Sequence, residues 1–281
     1  MARTSITAEV LSLAKMPLSI EMSVEDLLLR YQAAKPFPHH ILDNLFPANL
    51  LDELNDELPP MSSDKWVHTR TETLRKSNLR SATDLGDRAF EFASNLHSAA
   101  FLYFLTSITG IKALLPDPYL TGAGYSVFPE GGKFDIHADR NTDHYSGLER
   151  RIAMLIYLNK DWAPKCGGHL ELWNEDATKC ERVIEPSYNR TVIFEIGEKN
   201  FHAVRPVTKG MNFERRCFHI YFHTVGRSLV LHNSIYAPRI FQDKEPALRR
   251  ISRDLVPPIL LRTLKKLRKH THRKGSSDTA A

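Results

Sequence analysis

His137 and Asp139 stand two residues apart in the stretch Lys133-Phe134-Asp135-Ile136-His137-Ala138-Asp139. On an extended strand side chains alternate between faces, so an imidazole and a carboxylate at this spacing point the same way. Both can then ligate one metal ion. An H-x-D pair alone is common by chance, and its plainest reading is a surface turn. The surroundings change that reading. Pro129-Glu130-Gly131-Gly132 is a turn signal, so residues 122–139 read as a hairpin that delivers both groups to one point. His202 lies 65 residues on, after a strand-like stretch at 190–196. Two histidines and one carboxylate on one face make the facial triad that holds iron(II) and leaves positions open for other ligands. Iron held this way needs a reducing co-substrate to activate O2. A dicarboxylic keto acid would serve, and would need a buried cation for its far end. Arg215, 13 residues after His202, suits that role because a planar guanidinium binds a carboxylate bidentately and stays charged.

Arg216 competes with Arg215. Alternation puts Arg215, Cys217, His219 and Tyr221 on one face and Arg216, Phe218, Ile220 and Phe222 on the other. The apolar second face suits helix packing, which leaves the first face, and Arg215, for a cavity. His219 and His223 read as structural strand histidines rather than site residues. His169 and His144 read as exposed.

The elements around these residues change character along the chain. Residues 1–35 read as a loose arm with one helical start at Ser23 and Asp26, ended by Pro36 and Pro38. Residues 45–58 carry apolar groups at helical spacing, and so does one longer stretch, 83–109. Residues 61–82 are polar, with Arg70, Arg75, Lys76 and Arg80 beside an expected cleft. From 118 onward short β-prone pieces alternate with turns, at 122–128, 133–137, 151–158, 168–173, 181–184, 190–196, 203–207 and 215–223. Strand-rich sequence after helix-rich sequence predicts a mainly β, α+β fold with helices banked on one face of a jelly roll. The domain limits expected are 36–232, with helical support over 36–117 and the jelly-roll core over 118–232. Residues 233–281 read as a helical basic tail.

The chain has 281 residues, a net charge of +5 and three cysteines, Cys166, Cys180 and Cys217. Length permits one large domain with trimmings. The odd cysteine count without C-x-x-C points away from a disulfide framework or a zinc knuckle and toward a reducing, cytoplasmic setting. No apolar run approaches a membrane span. Much of the excess charge sits at 262–274, and the rest is near balance, so charge does not call for a nucleic-acid partner. The tail helix, 259–274, could pack its Leu260, Leu264 and Leu267 stripe on the domain or lie on an anionic membrane surface.

The chain resembles the iron(II)/2-oxoglutarate-dependent oxygenases, in their prolyl 4-hydroxylase-like branch. The resemblance rests on six pieces in order: Gly131, Gly132, Phe134, His137 and Asp139; 151–162; 167–173; 185–195; 201–208; and 214–224. It implies a double-stranded β-helix, cupin-like core. It implies His137, Asp139 and His202 as iron ligands, Arg215 on the distal carboxylate of 2-oxoglutarate, and Tyr157 bonding the same carboxylate. Phe128 stands where relatives often carry Tyr. The implied cofactors are Fe(II), 2-oxoglutarate and O2, with ascorbate as an added reductant. The implied reaction is hydroxylation of a substrate C–H bond with release of succinate and CO2. Desaturation or demethylation on the same centre, and a non-catalytic jelly-roll binding or sensing protein, are the alternatives. Asp139 argues against halogenation, which needs that position open. The substrate is a small molecule or a peptidyl group. Arginines around the expected cleft, Arg75, Arg80 and Arg140, favour a polar or anionic one.

Overall fold

A computed structural model describes residues 18–20, 22–79, 82–117, 119–226 and 234–237. Arg80, most of the N-terminal arm, much of the 225–240 loop and the basic tail lie outside the described residues.

Four helices precede the main β region. They are α1 (Val24–Ala33), α2 (Ala48–Asp56), α3 (Asp87–Leu96) and α4 (Ala99–Thr109). Ser23 caps α1, its hydroxyl accepting from the Asp26 amide at 3.1 Å. The single helix expected over 83–109 is two. Ser98 has extended backbone and its hydroxyl accepts from the Phe101 amide, so it caps a new helix instead of continuing the old one. Gly110 closes α4 in the left-handed region, at φ 74°. The start of α3 is capped from a distance. The Glu57 carboxylate accepts from the Arg88 and Ala89 amides at 2.7 and 3.1 Å, which meets both the free N–H groups and the helix dipole.

The strands are β1 (His39–Asp43), β2 (Val67–Arg70), β3 (Leu74–Asn78), β4 (Gly124–Phe128), β5 (Lys133–Ala138), β6 (Glu149–Tyr157), β7 (Leu170–Trp173), β8 (Cys180–Ile184), β9 (Arg190–Glu195), β10 (His202–Val204), β11 (Arg215–Thr224) and β12 (Ile235–Tyr236). All described pairings are antiparallel. The order is β1-β9-β6-β11-β4-β3-β5-β10-β7-β8, with β2 on β3 and β12 on β5. This is the jelly roll expected from the sequence.

Two features differ from the sequence reading. Residues 61–82, polar and given no strand above, contain the β2–β3 hairpin. The strands flanking the 129–132 turn are not partners either, since β3 lies between β4 and β5. Its Ser77 and Asn78 pair with Val127 and Ser126, and its Leu74 and Arg75 pair with Phe134 and Lys133. The turn connects two strands splayed apart by a third.

The helices pack on one face of the sheet. Phe218, Ile220 and Phe222 of β11 and Ile152, Met154 and Ile156 of β6 join Phe92, Phe101 and Phe104 in one core. Phe92 meets Phe46 and Phe218 edge-on, at centroid distances of 5.2 and 5.3 Å. The opposite faces of β6 and β11 are left to line the roll.

Candidate metal centre

Residues of β3, β4, β5, β6, β7, β9, β10 and β11 line a cavity of about 60 Å³. His137 and Asp139 reach it from β5 and the residue just past its end. His202 reaches it from β10, directly opposite His137 in the register. One ligand atom from each of the three lies within 4.8 Å of the others. Asp139 Oδ1 is 3.4 Å from His137 Nε2 and 3.8 Å from His202 Nε2.

The ring tautomers decide what this cluster can bind. His137 Nδ1 donates to the Asp135 carbonyl at 2.8 Å, and His202 Nδ1 donates to the Asn200 carbonyl at 3.2 Å. A carbonyl can only accept, so both Nδ1 atoms carry hydrogen. When the rings are neutral, both Nε2 atoms present lone pairs to the carboxylate. Burial and the neighbouring His137 push His202 down to about 4, so it stays neutral near pH 7. Burial alone would raise the Asp139 carboxyl, but the His202 and His137 rings and Arg150 outweigh it and hold it well below the usual range. With both rings neutral, three acceptors converge on one point. That donor set fits a divalent cation of the iron type, with one carboxylate and two imidazoles and space on one side.

Arg215 lines the same cavity and is 1% exposed. Its guanidinium sits between the Phe128 and Tyr157 rings, 4.8 and 4.9 Å from their centroids. It donates to the Tyr157 hydroxyl at 3.0 Å and to Cys217 Sγ at 3.7 Å, and its Nε has no partner. Among the described residues no carboxylate pairs with it. A buried charge left so is costly unless a ligand completes it. The arrangement therefore fits the far carboxylate of a dicarboxylate. Burial pushes the Tyr157 hydroxyl up to about 12 against the pull of Arg215, so it remains protonated and can also donate. Gly168 allows Arg215 its position. Its φ is +73°, and a Cβ there would stand 3.1 Å from Arg215 Cδ.

The expected site residues are thus brought together. Arg216 is turned away as alternation predicts, against Glu214 at 3.2 Å. Phe128 lines the cavity and stacks on Arg215 without adding a hydrogen bond. Three assignments need correction. Arg75 is exposed and borders an outer groove with Pro129 and Glu130. Lys76, one residue on, is the basic group of this segment that faces inward, its Nζ 5.2 Å from the Phe134 centroid. Alternation on β3 would have sorted the two, had the segment read as a strand. His169 is half-buried against Trp162 rather than exposed. His219 is a cavity residue. Its place on the Arg215 face was legible, but nothing in sequence showed that one ring nitrogen would lack a partner.

Residues 123–223 match the family described as the 2OG-Fe(II) oxygenase superfamily. Among curated proteins, the chain is 29% identical over 178 residues to the Mus musculus protein named prolyl 3-hydroxylase OGFOD1. That match takes in 61% of this chain and 30% of the relative, so the chain spans under a third of the relative's length. Two solved structures share the fold. A Pseudomonas putida prolyl-4-hydroxylase superposes with a TM-score of 0.52 at 18% identity, over 73% of this chain and all of its own. A Trichoplax adhaerens prolyl hydroxylase, solved with a hypoxia inducible factor peptide fragment, gives 0.55 at 17% identity, over 79% of this chain and 94% of its own. The jelly roll, the convergent His-Asp-His cluster and this match agree: residues 123–223 are similar to oxygenase domains of the 2OG-Fe(II) superfamily, in a fold shared with prolyl hydroxylases.

Proposed function

We propose that this chain is an iron(II)- and 2-oxoglutarate-dependent dioxygenase that hydroxylates a C–H bond, and that a prolyl residue of a polypeptide is its substrate. The observation that carries the chemistry is the pairing of two groups in one cavity: three converging acceptors suited to a cation, and a buried guanidinium that pairs with no carboxylate among the described residues and is suited to an anion. Similarity to prolyl hydroxylases supports the substrate class.

When bound, iron(II) and 2-oxoglutarate supply O2 activation coupled to decarboxylation to succinate and CO2. The protein residues do the positioning. His137 and His202 present Nε2 lone pairs whose direction is fixed by backbone carbonyls behind each ring. Asp139 supplies the negative charge. Arg215 and Tyr157 would hold the far carboxylate of the keto acid, in the same cavity as the three metal ligands. Leu155, Leu170, Phe194 and Val204 wall the space with apolar surface and exclude water.

The test is anaerobic. Iron(II) and then 2-oxoglutarate are added to the purified protein, and the weak visible charge-transfer band of a chelated keto acid is recorded. The band should appear in the unsubstituted protein and be absent in His137→Ala. Its absence from both would overturn the reading. For the substrate, proline-containing peptides are incubated with the aerobic enzyme, and mass spectrometry should find one added oxygen on proline. Succinate release without any such product across a broad peptide panel would remove the prolyl assignment and leave the cofactor assignment standing.

A further inference from the structure

The last described residues return to the metal ligands. β12 pairs antiparallel with β5, which sets Tyr236 opposite His137 and Ile235 opposite Ala138. The Ala237 amide donates to the Ile136 carbonyl at 3.0 Å. Residues directly opposite in an antiparallel pair share a face, and neighbours along one strand alternate. Ile235 and Ala237 accordingly pack on the cluster of Ile136, Ala138, Phe201 and Ala203. Tyr236 takes the other face, with His137. Its ring centroid lies 6.1 Å from that of His137 and 6.2 Å from that of Phe134. Two apolar anchors thus hold one aromatic side chain beside a metal ligand.

His137 is 1% exposed, yet Tyr236 against it is 49% exposed. His137 and Phe134 both line the cavity, so Tyr236 stands at its rim with ring surface left to solvent. Other side chains of the wall suit an incoming apolar ring less well. Lys76 carries a charge, Ser126 is buried, and Tyr221 has the Arg150 guanidinium 4.3 Å from its ring centroid. Phe134 already stacks on His137 at 3.5 Å. A prolyl side chain is a compact ring without an N–H, and aromatic surfaces bind proline-containing segments by covering such rings. On the function proposed above, on which this inference rests, the reacting C–H bond must come to the open side of the three ligands. We infer that Tyr236 is a specificity-determining residue whose ring packs on the prolyl ring of the polypeptide as it enters beside His137.

The probe is the proline-containing peptide of highest turnover in the panel described above, carrying a fluorescent label. Its anisotropy is titrated with the anaerobic iron(II)–2-oxoglutarate complex of the full chain. Tyr236→Ala should raise the peptide Kd by about 3–30-fold, the worth of one aromatic contact and its buried area. Tyr236→Phe keeps the ring and should stay within about 2-fold of the unsubstituted protein. Titration of the charge-transfer band should give the same 2-oxoglutarate affinity in both variants. Tyr103 on α4 is equally exposed, at 49%, and Tyr103→Ala should leave the peptide Kd unchanged. Unchanged peptide binding in Tyr236→Ala would overturn the inference alone. So would a Tyr236→Phe protein as weak as Tyr236→Ala, or a loss of peptide binding matched by an equal loss of 2-oxoglutarate affinity. A panel without any hydroxylated peptide defeats the prolyl reading itself, and this inference falls with it.

Discussion

Arg215 donates to the Tyr157 hydroxyl at 3.0 Å across the β11–β6 ladder, in which Tyr157 stands opposite Cys217, two residues from Arg215. The two side chains are diagonal neighbours on the inner face, within reach because both are long. The contact orients the guanidinium and does not neutralise it, so its charge remains available to a ligand.

Replacing Arg215 should therefore act on 2-oxoglutarate and leave metal binding largely intact. A charge-assisted hydrogen bond contributes about 1.5–3 kcal/mol, so Arg215→Ala should raise the 2-oxoglutarate Kd by roughly 10–100-fold. Tyr157→Phe should raise it by about 2–10-fold. Titration of the charge-transfer band measures both. An Arg215→Ala protein with unchanged Kd would show that the buried cation serves another ligand.

Loss of a metal ligand should be more severe. Asp139→Ala leaves two imidazoles and no charge, and the loss of iron(II) affinity should exceed the ~10–100-fold typical of outer-shell changes. Metal content after dialysis against a weak chelator reads this directly. Retention of one iron per chain would move the metal site elsewhere.

Gly168 links backbone conformation to the cofactor pocket. Its φ is +73°, and a methyl group added there would stand 3.1 Å from Arg215 Cδ. Gly168→Ala should therefore have two effects. The left-handed backbone should cost about 1–2 kcal/mol, read as a lower urea midpoint. Displacement of Arg215 should also weaken 2-oxoglutarate binding several-fold, while iron binding is unchanged. A stability loss with normal 2-oxoglutarate affinity would show that the pocket absorbs the methyl elsewhere.

Acid should destabilise the fold above the range where carboxylates titrate. His40 is buried, packs on Tyr31 and donates Nε2–H to the Ile108 carbonyl at 3.2 Å. Burial holds it at about 4, with His39 and Arg30 adding to the shift. A lowered folded pKa means the unfolded chain binds the proton first. The stability is fully present above about pH 6.5 and is lost as pH falls toward 4, by on the order of 2–3 kcal/mol. Burial lowers His97 to about 4 as well, with the same sign. Urea midpoints at pH 7.5 and 5 should differ clearly, and His40→Gln should flatten the difference. An equal slope in that variant would assign the pH dependence to other histidines.

The sequence by itself determined the chemistry-bearing strands. Period-two alternation placed Arg215, Cys217, His219 and Tyr221 on one face of β11 and its apolar residues on the other, because strand geometry is local and the partition of apolar groups into the core is strong. The H-x-D spacing set His137 and Asp139 toward one point for the same reason. Tertiary structure alone decided the rest. The β2–β3 hairpin is polar and carries no strong alternation, so the insertion of β3 between β4 and β5, which turns Lys76 inward and Arg75 outward, follows from pairing with distant strands. The break at Ser98 depends on a cap that competes with continuous apolar spacing. Whether His219 is satisfied depends on which backbone groups reach its ring. Gly122 lies 97 residues away and meets only one of its two nitrogens, and no local rule reads a contact of that separation.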